Sequence, residues 1–129
     1  MEKIELKFSA QDSCSLLCMV ITMTLQETRK KYTIRYNNHF RKSINEFSEN
    51  KKELKSLPKC ILEAFTENEI NKILSKDEIP NESGMMVLDG YHYEITITKG
   101  DISKVYYAND ANIQTYPLLR HLADWCRRL

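Results

Sequence analysis

Alternation of apolar and polar positions dominates both ends of the chain. Ile4, Leu6 and Phe8 alternate with Glu5, Lys7 and Ser9, the period of two expected of a strand with one buried face. A turn signal at Gln11, Asp12 and Ser13 follows. Leu17, Met19, Ile21, Met23 and Leu25 then alternate with Cys18, Val20, Thr22 and Thr24. The first half of that run is apolar at both parities, which suits a central strand covered on both sides. After the polar residues Gln26 to Lys30, Tyr32, Ile34 and Tyr36 alternate with Thr33 and Arg35. Consecutive strands joined by short polar links predict an antiparallel meander.

Past Asn37 and Asn38 the periodicity changes. Ser43 with Glu46, and Thr66 with Glu69, have the form of capping boxes. Ile44, Phe47, Leu54 and Leu57 suit one helix, which Pro58 ends or interrupts; Pro58 alternatively opens the next one, with Ile61, Leu62 and Phe65 inward. Ile70, Ile73 and Leu74 follow the second box. Two or three short helices are therefore expected between about 43 and 76. A connector over 76–84 leads to Met85–Leu88, which reads equally as a short strand or as a lead-in.

The last forty or so residues hold the clearest pattern. Tyr91, Tyr93, Ile95 and Ile97 alternate with His92, Glu94, Thr96 and Thr98, and a Lys99-Gly100-Asp101 turn introduces a return strand from Ile102 to Tyr107. Gly100 supplies the positive φ of a tight hairpin. Val105 and Tyr107 are expected to continue the buried face, leaving Tyr106 beside His92 and Glu94. Leu118, Leu119, Leu122, Trp125, Cys126 and Leu129 then fall at helical spacing behind Pro117, with Thr115 as the expected cap and Arg127 and Arg128 in the last turn. The order of three strands, helices, two strands and a helix predicts an α+β fold. Its sheet is mainly antiparallel, a meander plus a C-terminal hairpin, with helices packed chiefly on one face.

Composition adds limits. The chain has 129 residues, 42% of them apolar, with 19 basic and 18 acidic side chains. One globular domain spanning 1–129 is expected. The near balance of charge argues against a general electrostatic grip on nucleic acid. No apolar run approaches the ~20 residues of a membrane-spanning helix, and the charged start lacks a signal-peptide core. Cys14, Cys18, Cys60 and Cys126 lie in apolar contexts, read as reduced thiols in a cytoplasmic protein.

The search for chemistry yields no motif. His39, His92 and His121 lie in separate segments and no paired metal-ligand spacing occurs. Cys14 and Cys18 would stand about 13 Å apart on a strand rising ~3.3 Å per residue, too far to share an ion. With three glycines there is no phosphate-cradling loop or dinucleotide fingerprint. No metal, cofactor or catalytic residue is assigned. His92 and Glu94, two apart on one strand face, form either a small acid–base cluster with Tyr106 or an ordinary solvent-facing surface.

Asp89-Gly90-Tyr91, then Tyr93 and Ile95, the charged turn at Gly100, Tyr116-Pro117 and a leucine-rich closing helix resemble a pattern of small uncharacterised bacterial α+β domains, some of which look like immunity proteins of toxin systems. In that pattern an asparagine often shortly precedes the Tyr-Pro pair; here Asn112 stands four residues before Tyr116. The resemblance implies a protein-binding role, a toxin as the partner, and no catalytic residues. Exposed contact candidates are His92, Glu94 and Tyr106 on the sheet, with Arg120 and His121 on the last helix. Two alternatives stand beside this reading. One is a small hydrolase with a Cys/His or His/Glu site assembled from separate segments. The other is an oligomerisation module pairing through a sheet edge such as the first strand.

Overall fold

A computed structural model describes residues 2–12, 17–38, 56–79, 91–109 and 112–128. The strands are β1 (Ile4–Asp12), β2 (Leu17–Gln26), β3 (Arg29–Asn38), β4 (Tyr91–Lys99) and β5 (Ile102–Asn109). The α-helices among these residues are α1 (Lys59–Ala64), α2 (Glu67–Leu74) and α3 (Pro117–Arg127), the last preceded by a 3₁₀ turn over Asn112–Thr115. The expected helix over Ile44 to Leu57, the Ser43 box and the Met85–Leu88 segment lie outside the described residues, apart from Leu57, which is buried.

The strands form one antiparallel sheet in the order β3-β2-β1-β4-β5. The fold is therefore α+β, a meander and a hairpin fused through β1. The first strand is central, paired on both sides, and offers no edge for oligomerisation; β3 and β5 are the outer strands. A central position leaves neither row of β1 backbone groups unpaired at a sheet edge.

One face of the sheet carries the core. Ile4, Leu6, Phe8 and Ala10 of β1, Met19, Ile21, Met23 and Leu25 of β2, and Tyr93, Ile95 and Ile97 of β4 are buried together with Ile61, Phe65, Ile70 and Ile73 and the α3 stripe Leu118, Leu119, Leu122, Ala123 and Cys126. Phe8 and Tyr93 stack at 5.3 Å between ring centroids, an offset contact that adds to their area burial. Trp125 packs half-buried against this core instead of inside it. On the opposite face Val20 is half-buried, and no described helix packs there.

Lysines fasten the helices to the sheet. Lys104 of β5 donates to the Leu74 carbonyl at 2.9 Å and pairs with Asp77 at 3.3 Å. Lys30 of β3 donates to the Leu62 carbonyl in the last turn of α1. Both cations sit at helix C-termini, where unpaired carbonyls and the helix dipole favour positive charge. Lys99 of β4 reaches Asn71 at 2.7 Å and Glu67 at 3.4 Å, holding the other end of α2. The Thr66 hydroxyl accepts from the Glu69 N–H at 3.2 Å, the N-cap half of the expected box, while the Thr66 N–H goes to the Ala64 carbonyl at 3.0 Å in place of the Glu69 side chain.

Two local expectations are corrected. Thr115 does not cap α3: it ends the 3₁₀ turn, and Tyr116, held extended ahead of Pro117 with φ −112° and ψ 106°, takes the cap position without a side-chain bond. Glu69 of α2 lies at that helix start instead, its carboxylate 3.5 Å from the Leu118 N–H. Lys72 donates to the Thr115 carbonyl at 3.2 Å and lies 5.4 Å from the Tyr116 ring centre.

The second correction inverts β5. Val105 and Tyr107 are exposed, at 45% and 73%, while Tyr106 is 1% exposed and Ala108 is buried. The cause is the hairpin. Lys99 pairs with Ile102, so Gly100 (φ 57°) and Asp101 alone make the turn, and Ile95 faces Tyr106 while Ile97 faces Lys104. With a side-chain period of two, reading the turn one residue longer moves the whole strand to the other face.

Candidate functional site

With the described helices on one side, the other side of the sheet is a lattice whose rows follow the strand register. Arg35, Val20, Ser9, Glu94 and Tyr107 form one row across all five strands. Thr33, Thr22, Lys7, Thr96 and Val105 form the next, and Lys31, Thr24, Glu5, Thr98 and Ser103 the one beyond. Gln11, His92 and Asn109 lie along the opposite border.

Sequence chemistry explains why this face is regular. β-Branched threonines at its centre favour strands and have few rotamers, and the Thr98 and Ser103 hydroxyls lie 3.2 Å apart across the hairpin. Charge is densest along one border, with Glu5, Lys7 and Glu94 exposed across the middle. Arg29, Lys31 and Arg35 line the β3 side, where their β2 partners are Gln26, Thr24 and Val20. Lys3, just ahead of β1, pairs with Glu5 at 3.5 Å. At the β5 side the exposed groups are Tyr107 and Val105. The face is thus basic at one edge and aromatic at the other.

His92 and Glu94 are both exposed on this face. Tyr106 is not with them. Its ring lies under the sheet and its hydroxyl sits between the Ile73 carbonyl at 3.1 Å and the Lys76 carbonyl at 2.8 Å, donating into the end of α2. Burial, with Asp77 and Tyr116 nearby, pushes its hydroxyl above the usual tyrosine range. The tyrosine paired with Glu94 is Tyr107, an exposed residue that the alternation concealed. The two-residue turn signal at Gly100 and Asp101 was enough to find it.

Arg120 is exposed and His121 half-buried on α3, a helix whose Cys126 packs against Met19 on the covered face. The sheet therefore separates them from His92 and Glu94, and the expected contact residues do not form one surface. Of the described cysteines, Cys60 is exposed and Cys126 is buried 3.3 Å from the Met19 sulfur. Burial pushes the Cys126 thiol up to about 12, against a smaller opposing effect of Arg127. It stays protonated at neutral pH and is a packing residue, since the thiolate is the reactive form. No group of three or more His, Cys, Asp and Glu side chains among the described residues is placed to hold a metal ion, and no helix among them is long and apolar enough to cross a membrane. Compared with known proteins, the chain matches no family model, no curated protein and no solved structure.

Proposed function

We propose that the protein is a binding module that docks a folded protein on its open sheet face, in the sharpest version an immunity protein that neutralises a toxin by covering it. The observation that carries this reading is the platform itself: a face of five strands with Tyr107 73% exposed at one side and a basic border at the other. Strands about 4.8 Å apart and ~3.3 Å of rise per residue give a surface of roughly 20 by 30 Å. With its side-chain relief, that approaches the ~800 Å² per partner of a standard interface. Stiff threonines lose little freedom on contact, and exposed tyrosine is a frequent anchor of binding energy. The partner's chemistry follows from the borders: an apolar notch for Tyr107 and Val105, and acidic groups opposite Arg29, Lys31 and Arg35.

The test is capture from native-cell lysate with the wild-type chain, Tyr107→Ser and Arg35→Glu side by side. The expected result is one stoichiometric protein whose retention falls at least about tenfold with either variant, as the loss of an anchor residue implies. In the immunity version the isolated partner is toxic and is silenced at equimolar ratio. Capture of nothing, or of proteins indifferent to both variants, overturns the reading, as does recovery of nucleic acid in their place.

A further inference from the structure

We propose that the β3 edge is a receptor for an extended acidic segment of the partner, which adds to the sheet as a sixth strand. This rests on the docking reading above and deepens it by naming the chemistry of one part of the partner.

Three observations lead to it. First, β3 is an outer strand of ten residues with β2 on one side and no strand on the other among the described residues. Alternate residues of such an edge point backbone N–H and C=O groups outward, a template for pairing. Second, Arg29, Lys31 and Arg35 share the open face, all exposed, and their cross-strand partners on β2 are uncharged. Among the described residues they make no ion pair; the nearest carboxylate in their rows, Glu5, stands two strands away and is held by Lys3. Third, the opposite parity is apolar and unfinished: Tyr32 and Ile34 pack against the core yet stay half-exposed, while Lys30 is fixed to α1.

These features specify one occupant. An added strand with carboxylates at every second position would set them beside Arg29, Lys31 and Arg35, and cross-strand pairs of opposite charge stabilise such an addition. Its intervening apolar residues would extend the core row past Tyr32 and Ile34. Basic side chains on an outer strand also guard against self-association, and the two roles agree. A second copy of this edge would bring like charges together, whereas an acidic strand relieves them. The edge is therefore selective for charge and for alternation.

The probe is a ten-residue peptide written antiparallel to β3, with Glu opposite Arg29, Lys31 and Arg35, Thr opposite Thr33, and Val or Ile at the intervening positions. Binding is followed by backbone amide NMR of the full-length chain. The expected result is saturable shifts centred on β3, hydrogen-exchange protection of its outward amides, and weakening as salt rises. Lys31→Glu with Arg35→Glu weakens binding at least tenfold, with the spectrum showing that the doubly substituted chain stays folded. A peptide of the same composition with the alternation scrambled, and one with Lys for Glu, bind at least tenfold less well. No saturable shift, shifts on β5 alone, or equal binding of the scrambled peptide overturns the inference. The two readings fail separately. Loss of the peptide effect with capture still dependent on Tyr107 removes the sixth strand only, whereas peptide binding without any Tyr107-dependent capture removes the platform reading only.

Discussion

Tyr106 and Tyr107 are adjacent in the chain and lie on opposite sides of one sheet. On the covered side, Tyr106 is enclosed by core residues and donates into the end of α2. On the open side, Tyr107 stands in solvent in a row with Glu94 and Ser9. The same contrast extends to the lysines. Lys104 on the covered side holds a helix terminus, while Lys7 at the centre of the open side has Thr22 and Thr96 as its cross-strand neighbours. Side chains of one type serve stability on one face and are left free for contact on the other. What differs is whether a helix end lies within reach.

That contrast can be broken most sharply at the tyrosines. Tyr106→Ala is expected to cost about 3–5 kcal/mol, the range of large aromatic truncations in a core. Tyr107→Ala should stay within about 0.5 kcal/mol, as exposed substitutions do. Urea denaturation of both variants measures the difference, and equal losses would mean that the two faces are not distinct.

The pH dependence sharpens the same point. Cys126 and Tyr106 are both held in their neutral forms by burial, so their folded-state values lie above their ordinary values of 9.0 and 10.0. The stability this represents is complete below pH 9 and declines as the unfolded chain ionises while the folded one does not. For Cys126 the decline runs from about 9 to about 12. The urea midpoint should therefore fall steadily above pH 9, and Cys126→Ala should flatten that slope although its midpoint at neutral pH is lower. An unchanged slope would remove the thiol from the account.

The smallest expected difference is between the lysines. Lys104→Met should cost about 1 kcal/mol, the worth of a charged hydrogen bond discounted for partial exposure, with part of the effect lost in high salt. Lys7→Met should leave the midpoint unmoved. A larger effect at Lys7 would show that the open face is held by charge as well.

Much of the architecture was legible from pattern. Strict alternation marked β1, β2 and β4, the Thr66 box marked the start of α2, and helical spacing behind Pro117 marked α3. Each depends on a few neighbouring residues, and local physics suffices for it. The contact surface was less legible. His92 and Glu94 were placed on the polar side of their strand, where they are. The alternation puts Tyr106 there in place of Tyr107, because a three-residue turn at Lys99-Gly100-Asp101 sets Val105 and Tyr107 on the core side, whereas Lys99 pairs with Ile102. Arg120 and His121 were grouped with residues that lie across the sheet from them.

By itself, then, the sequence determined the fold class, the sheet's two sets of residues on four of its strands, and the helix that closes it, since a period of two or of 3.6 selects the element and its inward face. The tertiary structure alone decided the strand order that puts β1 in the centre and the pairing of lysines with helix ends. The first joins strands far apart in the chain, such as Ile4 with Lys99, and the second joins groups about thirty residues apart, Lys104 with Leu74 and Lys30 with Leu62. A lysine on the covered side is favourable only where a carbonyl or carboxylate meets it, and no local pattern records where that partner will be.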